Sequence, residues 1–221
     1  MPRLVLLSDT HGLHHRLRVP EGDVLVHAGD FCTSGKEIQA RDFAKWFLAQ
    51  PHPHKVVIAG NHDRCLELDL KLGAQIFNGA TYLLDKEATV AGLRFYGSPW
   101  QPEFMSWSFN LARGEPLREV WAHIPVGVDV LITHGPPFGI LDRTVSNQAV
   151  GCEELRKAID RVRPRLHVFG HIHEGAGSHV EPGTLFVNAS VCTEAYTPEN
   201  PIFVVDLPLG AAACTVLSPT S

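Results

Sequence analysis

Histidine, aspartate and asparagine residues recur directly after five short apolar segments of this 221-residue sequence. The five motifs are Ser8-Asp9-Thr10-His11, Gly29-Asp30, Gly60-Asn61-His62-Asp63, Thr133-His134-Gly135 and Gly170-His171-Ile172-His173. Imidazole nitrogens and carboxylate or amide oxygens are ligands that divalent transition metals accept in proteins. The motifs therefore predict a metal site, provided that the fold brings the five segment ends together.

Each motif has an ordinary structural explanation when it is taken alone. Asn61 after Gly60 is typical of a turn, because asparagine tolerates left-handed backbone geometry. His134 before Gly135-Pro136-Pro137 is also what the end of a strand before a proline-rich stop looks like. The pair His171 and His173 is more informative, because alternate residues of an extended segment share a face, although two exposed loop histidines remain the alternative. The order of all five motifs is what favours a shared site.

The apolar segments before these motifs predict β-strands at residues 4–7, 24–26, 55–59, 128–132 and 166–169. They are nearly continuous in hydrophobicity rather than alternating, which is typical of strands buried on both faces. Further strands are predicted at 94–97, 185–188 and 202–206. Open α/β sheets bind ligands at the carboxyl ends of their strands, and this is where the polar motifs lie.

Helices are predicted between several of the strands. Ser34 and Glu37 form a capping-box pattern ahead of an apolar face that runs to Leu48. A second helix is predicted over 152–162, with a proline beyond its end, and a third over 65–72. This alternation predicts an α/β fold with a second or mixed sheet, organised as one domain over residues 1–221 with a frayed tail after about residue 217.

Composition narrows the class of protein. A hydrophobic content of 44% and a charged content of 19% are typical of a soluble globular chain, and a net charge of −5 argues against a nucleic-acid polymer as partner. The first residues resemble a strand rather than a signal peptide, and no apolar run is long enough to span a membrane. The 5 cysteines are scattered without a CxxC pair, which favours free thiols and a cytoplasmic location without membrane partners.

The sequence contains 13 histidines, an excess that itself suggests a site. Two of them, His27 and His167, lie inside or beside apolar segments and are predicted core residues. His14 and His15 are predicted to be exposed, and they follow the first motif closely enough to line the rim of a pocket.

Taken in order, the five motifs resemble the calcineurin-like metallophosphoesterase superfamily. A closer resemblance, to its metallophosphoesterase-domain-containing (MPPED-type) branch, rests on further segments: Gly97-Ser98-Pro99-Trp100, Trp107-Ser108-Phe109-Asn110, Thr133-His134-Gly135-Pro136-Pro137, Val168-Phe169-Gly170-His171-Ile172-His173-Glu174-Gly175 and Asn188-Ala189-Ser190. Some members of that branch lack a histidine at the position of His171, whereas this chain keeps it. The resemblance therefore implies a complete two-metal site. It also implies a four-layer α/β/β/α sandwich with two mixed β-sheets.

The resemblance assigns a role to each motif residue. One metal would be held by Asp9, His11, Asp30 and His173, and the other by Asp30, Asn61, His134 and His171. The implied cofactors are two divalent ions, with manganese expected first and iron, zinc, cobalt, nickel or magnesium as alternatives. A hydroxide bridging the metals would attack phosphorus in line. His62 would protonate the leaving group, with Asp63 either orienting its ring or capping the following helix.

The implied activity is hydrolysis of small phosphodiesters, with nucleotide or cyclic-nucleotide diesters as the expected substrates. A phosphomonoesterase and a nucleotide- or metal-binding regulator with little turnover are the alternatives. Trp100 is the expected stacking partner of a base, while Phe104, Trp107 and Phe109 could equally form a satellite core. Asn188 could lie near the pocket, with a structural turn as its alternative. The sequence does not indicate an oligomeric state.

Overall fold

A computed structural model describes residues 1–210 and 214–217, so the tail predicted to fray after residue 217 lies outside the described residues. The strands in these ranges are β1 (Arg3–Leu7), β2 (Val24–His27), β3 (His54–Val57), β4 (Thr81–Tyr82), β5 (Lys86–Val90), β6 (Leu93–Ser98), β7 (Gln101–Pro102), β8 (Asn110–Leu111), β9 (Val130–Thr133), β10 (Leu166–Phe169), β11 (Gly177–Glu181), β12 (Thr184–Asn188), β13 (Phe203–Asp206) and β14 (Thr215–Leu217). The α-helices are α1 (Glu37–Leu48), α2 (Arg64–Leu68), α3 (Leu72–Ile76), α4 (Glu115–Ala122) and α5 (Glu153–Val162), and short 3-10 helices span His14–Arg16 and His173–Gly175.

Twelve of the described strands form two mixed sheets of six strands each. The first has the order β14-β13-β1-β2-β3-β4, in which β1 to β4 run parallel and β13 is antiparallel to β1. The second has the order β11-β12-β10-β9-β6-β5, with a parallel centre from β12 to β6. Strands β7 and β8 form a separate parallel pair.

The two sheets pack face to face, and helices cover their outer faces. Leu6 of β1 and Ile132 of β9 are fully buried in one apolar cluster between the sheets. The alternate residue Val5 faces α1 to α3, while Leu131 faces α4 and α5. Because both faces of each central strand are buried, nearly every side chain of these strands must be apolar, which explains their continuous hydrophobicity. The predicted α/β/β/α sandwich with two mixed sheets is confirmed.

Several helix boundaries differ from those predicted. The capping box of Ser34 with Glu37 does not form, because α1 begins at Glu37 itself and Lys36 is its N-cap; Gln39 Oε1 accepts the Ser34 amide hydrogen at 3.0 Å. The predicted helix at 65–72 is two short helices, α2 and α3, and α4 has no counterpart among the predicted helices. Helix α5 begins one residue later than predicted, since Cys152 is its N-cap and accepts the Leu155 amide hydrogen through Sγ.

None of the helices in the described ranges combines the length and the apolarity needed to cross a lipid bilayer.

Candidate active site

The predicted metal ligands meet where the central strands of both sheets end. Each ligand lies within four residues of the carboxyl end of β1, β2, β3, β9 or β10. Potential ligand atoms form three overlapping groups in which all atoms lie within 4.8 Å of one another: Asp9 with His11 and His173, His11 with Asp30 and His62, and Asp30 with His134 and His171. Asn61 joins the last group, since its Oδ1 is 2.9 Å from His134 Nε2. The structure therefore brings all seven predicted ligands together.

Backbone carbonyls fix the orientation of three of the imidazole rings. The Nδ1 atoms of His134 and His173 lie 2.9 Å from the carbonyls of Ala28 and Thr193, and His11 Nδ1 lies 3.3 Å from that of Cys32. A carbonyl only accepts, so each Nδ1 carries a hydrogen and each Nε2 turns toward the cluster.

Two of these nitrogens face each other closely, because His11 Nε2 and His173 Nε2 are 3.2 Å apart. Lone pairs at that distance repel unless a proton or a cation lies between them. The donor set and its orientation thus fit a divalent metal.

The two aspartates occupy different positions in the cluster. Asp30 Oδ2 lies 3.3 Å from His134 Nε2 and 4.0 Å from His11 Nε2, so it is shared by two of the ligand groups. Asp9 belongs to one group, with Oδ1 at 3.4 Å from His173 Nε2, and its Oδ2 accepts a hydrogen bond from Ser190 Oγ at 2.8 Å. Asp30 is therefore the carboxylate that two of the candidate ligand groups have in common.

The buried charges of the cluster stabilise one another. Burial alone would raise the pKa of Asp9 and of Asp30, but the neighbouring histidines hold both well below the usual range. Burial alone would likewise lower the pKa of His134 and of His173, but the two carboxylates raise each to about 9. The site is thus a set of anionic carboxylates whose charge attracts protons, and a divalent cation would displace those protons.

The backbone adopts costly geometry at the ligands themselves. Asp9, His11, Asp30 and His171 have φ angles of 55°, 42°, 59° and 70°, a left-handed region that residues other than glycine rarely occupy. At Gly170 a Cβ atom would overlap the carboxylate of Asp9. The strand ends are therefore shaped to hold the ligands rather than to continue regular structure.

His62 is oriented by a backbone carbonyl. Its Nδ1 lies 2.9 Å from the Thr33 carbonyl oxygen, which leaves Nε2 facing the cluster at 3.9 Å from Asp30 Oδ2. The amide of His62 also donates to Asp30 Oδ1 at 2.7 Å.

The predicted contact of Asp63 with the His62 ring is not formed. Its carboxylate instead accepts the amide hydrogens of Asp30 and Cys32, both at 2.9 Å, and of Gly60 at 2.8 Å. Asp63 occupies the N-cap position of α2, but its side chain makes no capping hydrogen bond. Asp63 thus joins the loops that follow β2 and β3, which carry the candidate ligands Asp30 and Asn61, instead of contacting the His62 ring.

Trp100, the predicted stacking residue, does not contact the cluster. Its Nε1 donates to Asp85 Oδ2 at 2.7 Å, and its ring packs edge-on against Phe109. Trp107 lies against the site instead, with its ring centroid 4.0 Å from that of His62 and 37% of its surface exposed. The sequence predicted that an aromatic residue of segment 98–110 lies near the site, but the spacing of these residues could not show which ring faces it.

Asn188 is fully buried, and its amide bridges two loops. Its Nδ2 donates to the Ile172 carbonyl at 2.8 Å and its Oδ1 accepts the Ser190 amide hydrogen at 3.2 Å. Both polar atoms are therefore engaged within the protein, and the neighbouring Ser190 is the residue that reaches Asp9. Tyr196 is another neighbour that the sequence did not indicate, with its ring centroid 4.8 Å from that of His11.

A pocket opens beside His62 on the side away from the sheets' core. Its volume is about 320 Å³, and it is lined by Ser34, Asn61, His62, Arg64, Ser106, Trp107 and Ser108. Arg64 supplies positive charge to this pocket and Trp107 an exposed aromatic face. The arrangement can receive a substituent that is attached to a group held at the cluster.

Comparisons with known proteins agree with this geometry. Residues 2–175 match the family model described as Metallophos, calcineurin-like phosphoesterase. The chain is 46% identical over 231 residues to metallophosphoesterase domain-containing protein 1 of Homo sapiens, covering 93% of this chain and 71% of that protein. It is 37% identical over 206 residues to UPF0046 protein K07C11.7 of Caenorhabditis elegans, covering 87% of this chain and 70% of that one.

A solved structure shares the fold. TT1561 of Thermus thermophilus superimposes with a TM-score of 0.63 at 12% identity, covering 93% of this chain and 94% of the other. The family match and the identity to the human relative lead to one conclusion. The chain belongs to the calcineurin-like phosphoesterase family, in its metallophosphoesterase-domain-containing branch, and is a metal-dependent phosphoesterase.

Proposed function

We propose that the protein hydrolyses small phosphodiesters, with nucleotide diesters as the substrate class, at a centre that holds two divalent cations. The observation that carries the proposal is the position of Asp30, whose Oδ2 lies within 4.0 Å of both His11 Nε2 and His134 Nε2. One cation would be held by Asp9, His11, Asp30 and His173, and the other by Asp30, Asn61, His134 and His171. Manganese is the first cation to test, because mixed oxygen and nitrogen ligands suit it.

Bound there, two divalent cations would supply Lewis-acid stabilisation of the phosphoryl charge and increase the acidity of water. His62 then provides proton transfer. In its doubly protonated form the ring keeps Nδ1–H on the Thr33 carbonyl and presents Nε2–H toward the cluster. Transfer of that proton to the leaving oxygen completes cleavage of the ester bond and leaves a neutral imidazole.

The charge around the cluster favours a diester over a monoester. Across the described ranges, no lysine or arginine makes a hydrogen bond or an ion pair with the seven ligands or with His62. A phosphomonoester carries a charge of about −1.5 to −2 near pH 7, whereas a diester carries one negative charge. With no cationic side chain on the candidate ligands themselves, and Arg64 only in the adjoining pocket, the phosphoryl group would meet the charge of the cations alone, which suits a monoanionic diester.

The pocket beside His62 supports a leaving group of nucleoside size. Its volume of about 320 Å³ lies within the range of about 300–1,000 Å³ that is typical of small-ligand sites. The exposed face of Trp107 can stack a base, since base–aromatic stacking does not depend on the identity of the base. Arg64 can contact the polar edge or a further anionic group of the same substituent.

A comparison of two aryl esters tests the proposal. Protein stripped of metal should cleave neither bis-p-nitrophenyl phosphate nor p-nitrophenyl phosphate, and added Mn²⁺ should restore turnover of the diester at least ten-fold more efficiently than of the monoester. Preference for the monoester would replace the proposal by a phosphomonoesterase. Binding of a nucleoside monophosphate without turnover of either ester would favour a regulator.

A further inference from the structure

A second set of metal-binding side chains shares no residue with the active site. It consists of His14 and His15, in the 3-10 helix that follows the β1 loop, and Asp42 on α1. The Nε2 atoms of His14 and His15 each lie 3.2 Å from Asp42 Oδ2. Two imidazoles from adjacent residues thus converge on one carboxylate oxygen of a different element.

These separations are those of ligands around one small cation. Zinc binds histidine nitrogen at about 2.0–2.1 Å and carboxylate oxygen at about 2.0–2.2 Å, so two ligands of a tetrahedral site lie about 3.3 Å apart. Both measured distances of 3.2 Å agree with this value. Three protein ligands would leave the fourth position to water.

The packing holds one ligand rigidly and leaves the other two accessible. His14 is only 1% exposed, and its ring packs at centroid distances of 5.4 Å against Phe43 and 5.2 Å against Trp46, both on α1. His15 and Asp42 are exposed, with side-chain exposures of 60% and 55%. An ion from solution can therefore reach His15 and Asp42, while packing against α1 already holds the His14 ring in place.

The same 3.2 Å contacts also fit hydrogen bonds from the two rings to Asp42. Such contacts to an exposed carboxylate add little stability because water screens them. Burial and the neighbouring His15 lower the pKa of His14, so its ring is neutral near pH 7 and can act as a metal ligand.

We propose that His14, His15 and Asp42 form a third metal site, which takes Zn²⁺ or a similar borderline cation. The site would connect α1 to the loop that carries Asp9 and His11, because the turn of His14 begins three residues after His11. Its role is to hold that loop in place. The proposal does not depend on the reaction assigned to the active site.

Metal content and thermal stability of the full-length chain test this site. Wild-type protein, the double variant His15→Gln/Asp42→Asn and the control His123→Gln would be stripped, dialysed against micromolar Zn²⁺ and measured for zinc per chain. His123 is a suitable control because it is exposed and lies in the C-cap of α4, away from the three ligands. The double variant should bind one zinc fewer than the other two proteins and lose part of the zinc-induced rise in Tm.

Equal zinc content in the three proteins would overturn the proposal, as would an equal rise in Tm. Both substitutions replace exposed side chains by polar ones of similar size, so loss of the fold is not expected, and circular dichroism would verify it. Failure of the active site to bind zinc would lower all three counts equally. That result would show only that the active site does not take zinc, since the proposed function is tested separately with Mn²⁺, and it would leave unchanged the difference on which the third site depends.

Discussion

His62 is held by the Thr33 carbonyl rather than by a carboxylate, and this determines what its substitution should do. In the proposed reaction, replacing His62 by Gln removes the proton donor but no metal ligand. We expect kcat to fall by about 10²–10⁴-fold on a diester with an alkoxide leaving group, and by less on an aryl diester, whose leaving group needs no proton. Kinetics on both substrates together with metal analysis would check this. Loss of metal, or equal losses on the two substrates, would contradict the role given to His62.

Trp107 contacts His62, whereas Trp100 is bound to Asp85, so variants of the two tryptophans can be compared. If Trp107 stacks the leaving base, Trp107→Ala should raise KM for a nucleotide diester by about 5–150-fold, since stacking of one base contributes about 1–3 kcal/mol. The variant Trp100→Ala should leave KM unchanged, because the Trp100 indole is bound to Asp85 away from the cluster. Steady-state kinetics on one dinucleotide measures both values. A rise in KM for Trp100→Ala alone would return the stacking role to Trp100.

At the residue scale, the sequence indicated which candidate ligands come together better than it indicated the residues that support them. That the seven side chains converge could be predicted because each follows an apolar strand and carries a metal-binding group; that they bind metal stays a prediction. The partners of Asp63 could not, since they are backbone amides whose direction depends on left-handed turns at residues such as Asp30. The sequence also could not show which aromatic ring of segment 98–110 contacts His62, because loop residues have no periodicity from which the side that they face can be inferred.

The end of β10 illustrates how closely an element approaches the ligands. A Cβ atom at Gly170 would overlap the Asp9 carboxylate and the Ser8 side chain. We expect Gly170→Ala to lower the free energy of unfolding by about 1–3 kcal/mol, as is typical of overpacking, and to weaken metal binding by displacing Asp9. Gly135→Ala is the control, since its Cβ would make an ordinary 3.5 Å contact with Gln101. Urea unfolding and metal titration of both variants would test this, and equal behaviour would contradict it.

His167 connects β10 to β9 and should make stability depend on pH. Its Nε2 lies 2.8 Å from Thr133 Oγ1, and burial lowers its pKa from 6.5 to about 3. Because the unfolded chain binds this proton more readily than the folded one, His167 costs stability as the pH falls below 6.5. Between pH 7 and pH 5 the loss is about 2 kcal/mol.

The variant His167→Asn isolates this contribution. Urea unfolding of metal-free wild-type and variant proteins at both pH values should show the wild type losing about 2 kcal/mol more than the variant. Comparing the pH dependence, rather than stability at one pH, removes the packing cost of the substitution. Equal losses in the two proteins would mean that folding does not lower the pKa of His167.

For the whole molecule, the arrangement of sheets and helices in layers could be predicted from the sequence, but several short elements and the order of the strands could not. Continuous apolar strands separated by amphipathic helices indicate buried sheets with helices outside, and the resemblance implied two of them. The sequence did not indicate α4 or the β7–β8 pair, because short elements in loops carry too few residues for a periodic pattern. The strand order also depends on contacts between distant segments, such as β13 with β1.

The net charge of the chain matters less than the charge at the site. The protein carries a formal charge of −5, yet two divalent cations beside Asp9 and Asp30 would give the proposed centre a net positive charge. A small anionic ester would be attracted to that centre at short range, where solvent screens little.

The most direct test of the two-cation centre is the number of Mn²⁺ ions bound per chain by wild-type protein and by the Asp30→Asn variant. Both would carry His15→Gln, so that the cluster around Asp42 does not contribute to the count. Two ions per chain are expected with Asp30 present. Fewer than two are expected once asparagine replaces it, with a parallel loss of bis-p-nitrophenyl phosphate hydrolysis. A single ion in the wild-type background, or two ions with full activity in the variant, would contradict a centre bridged by Asp30.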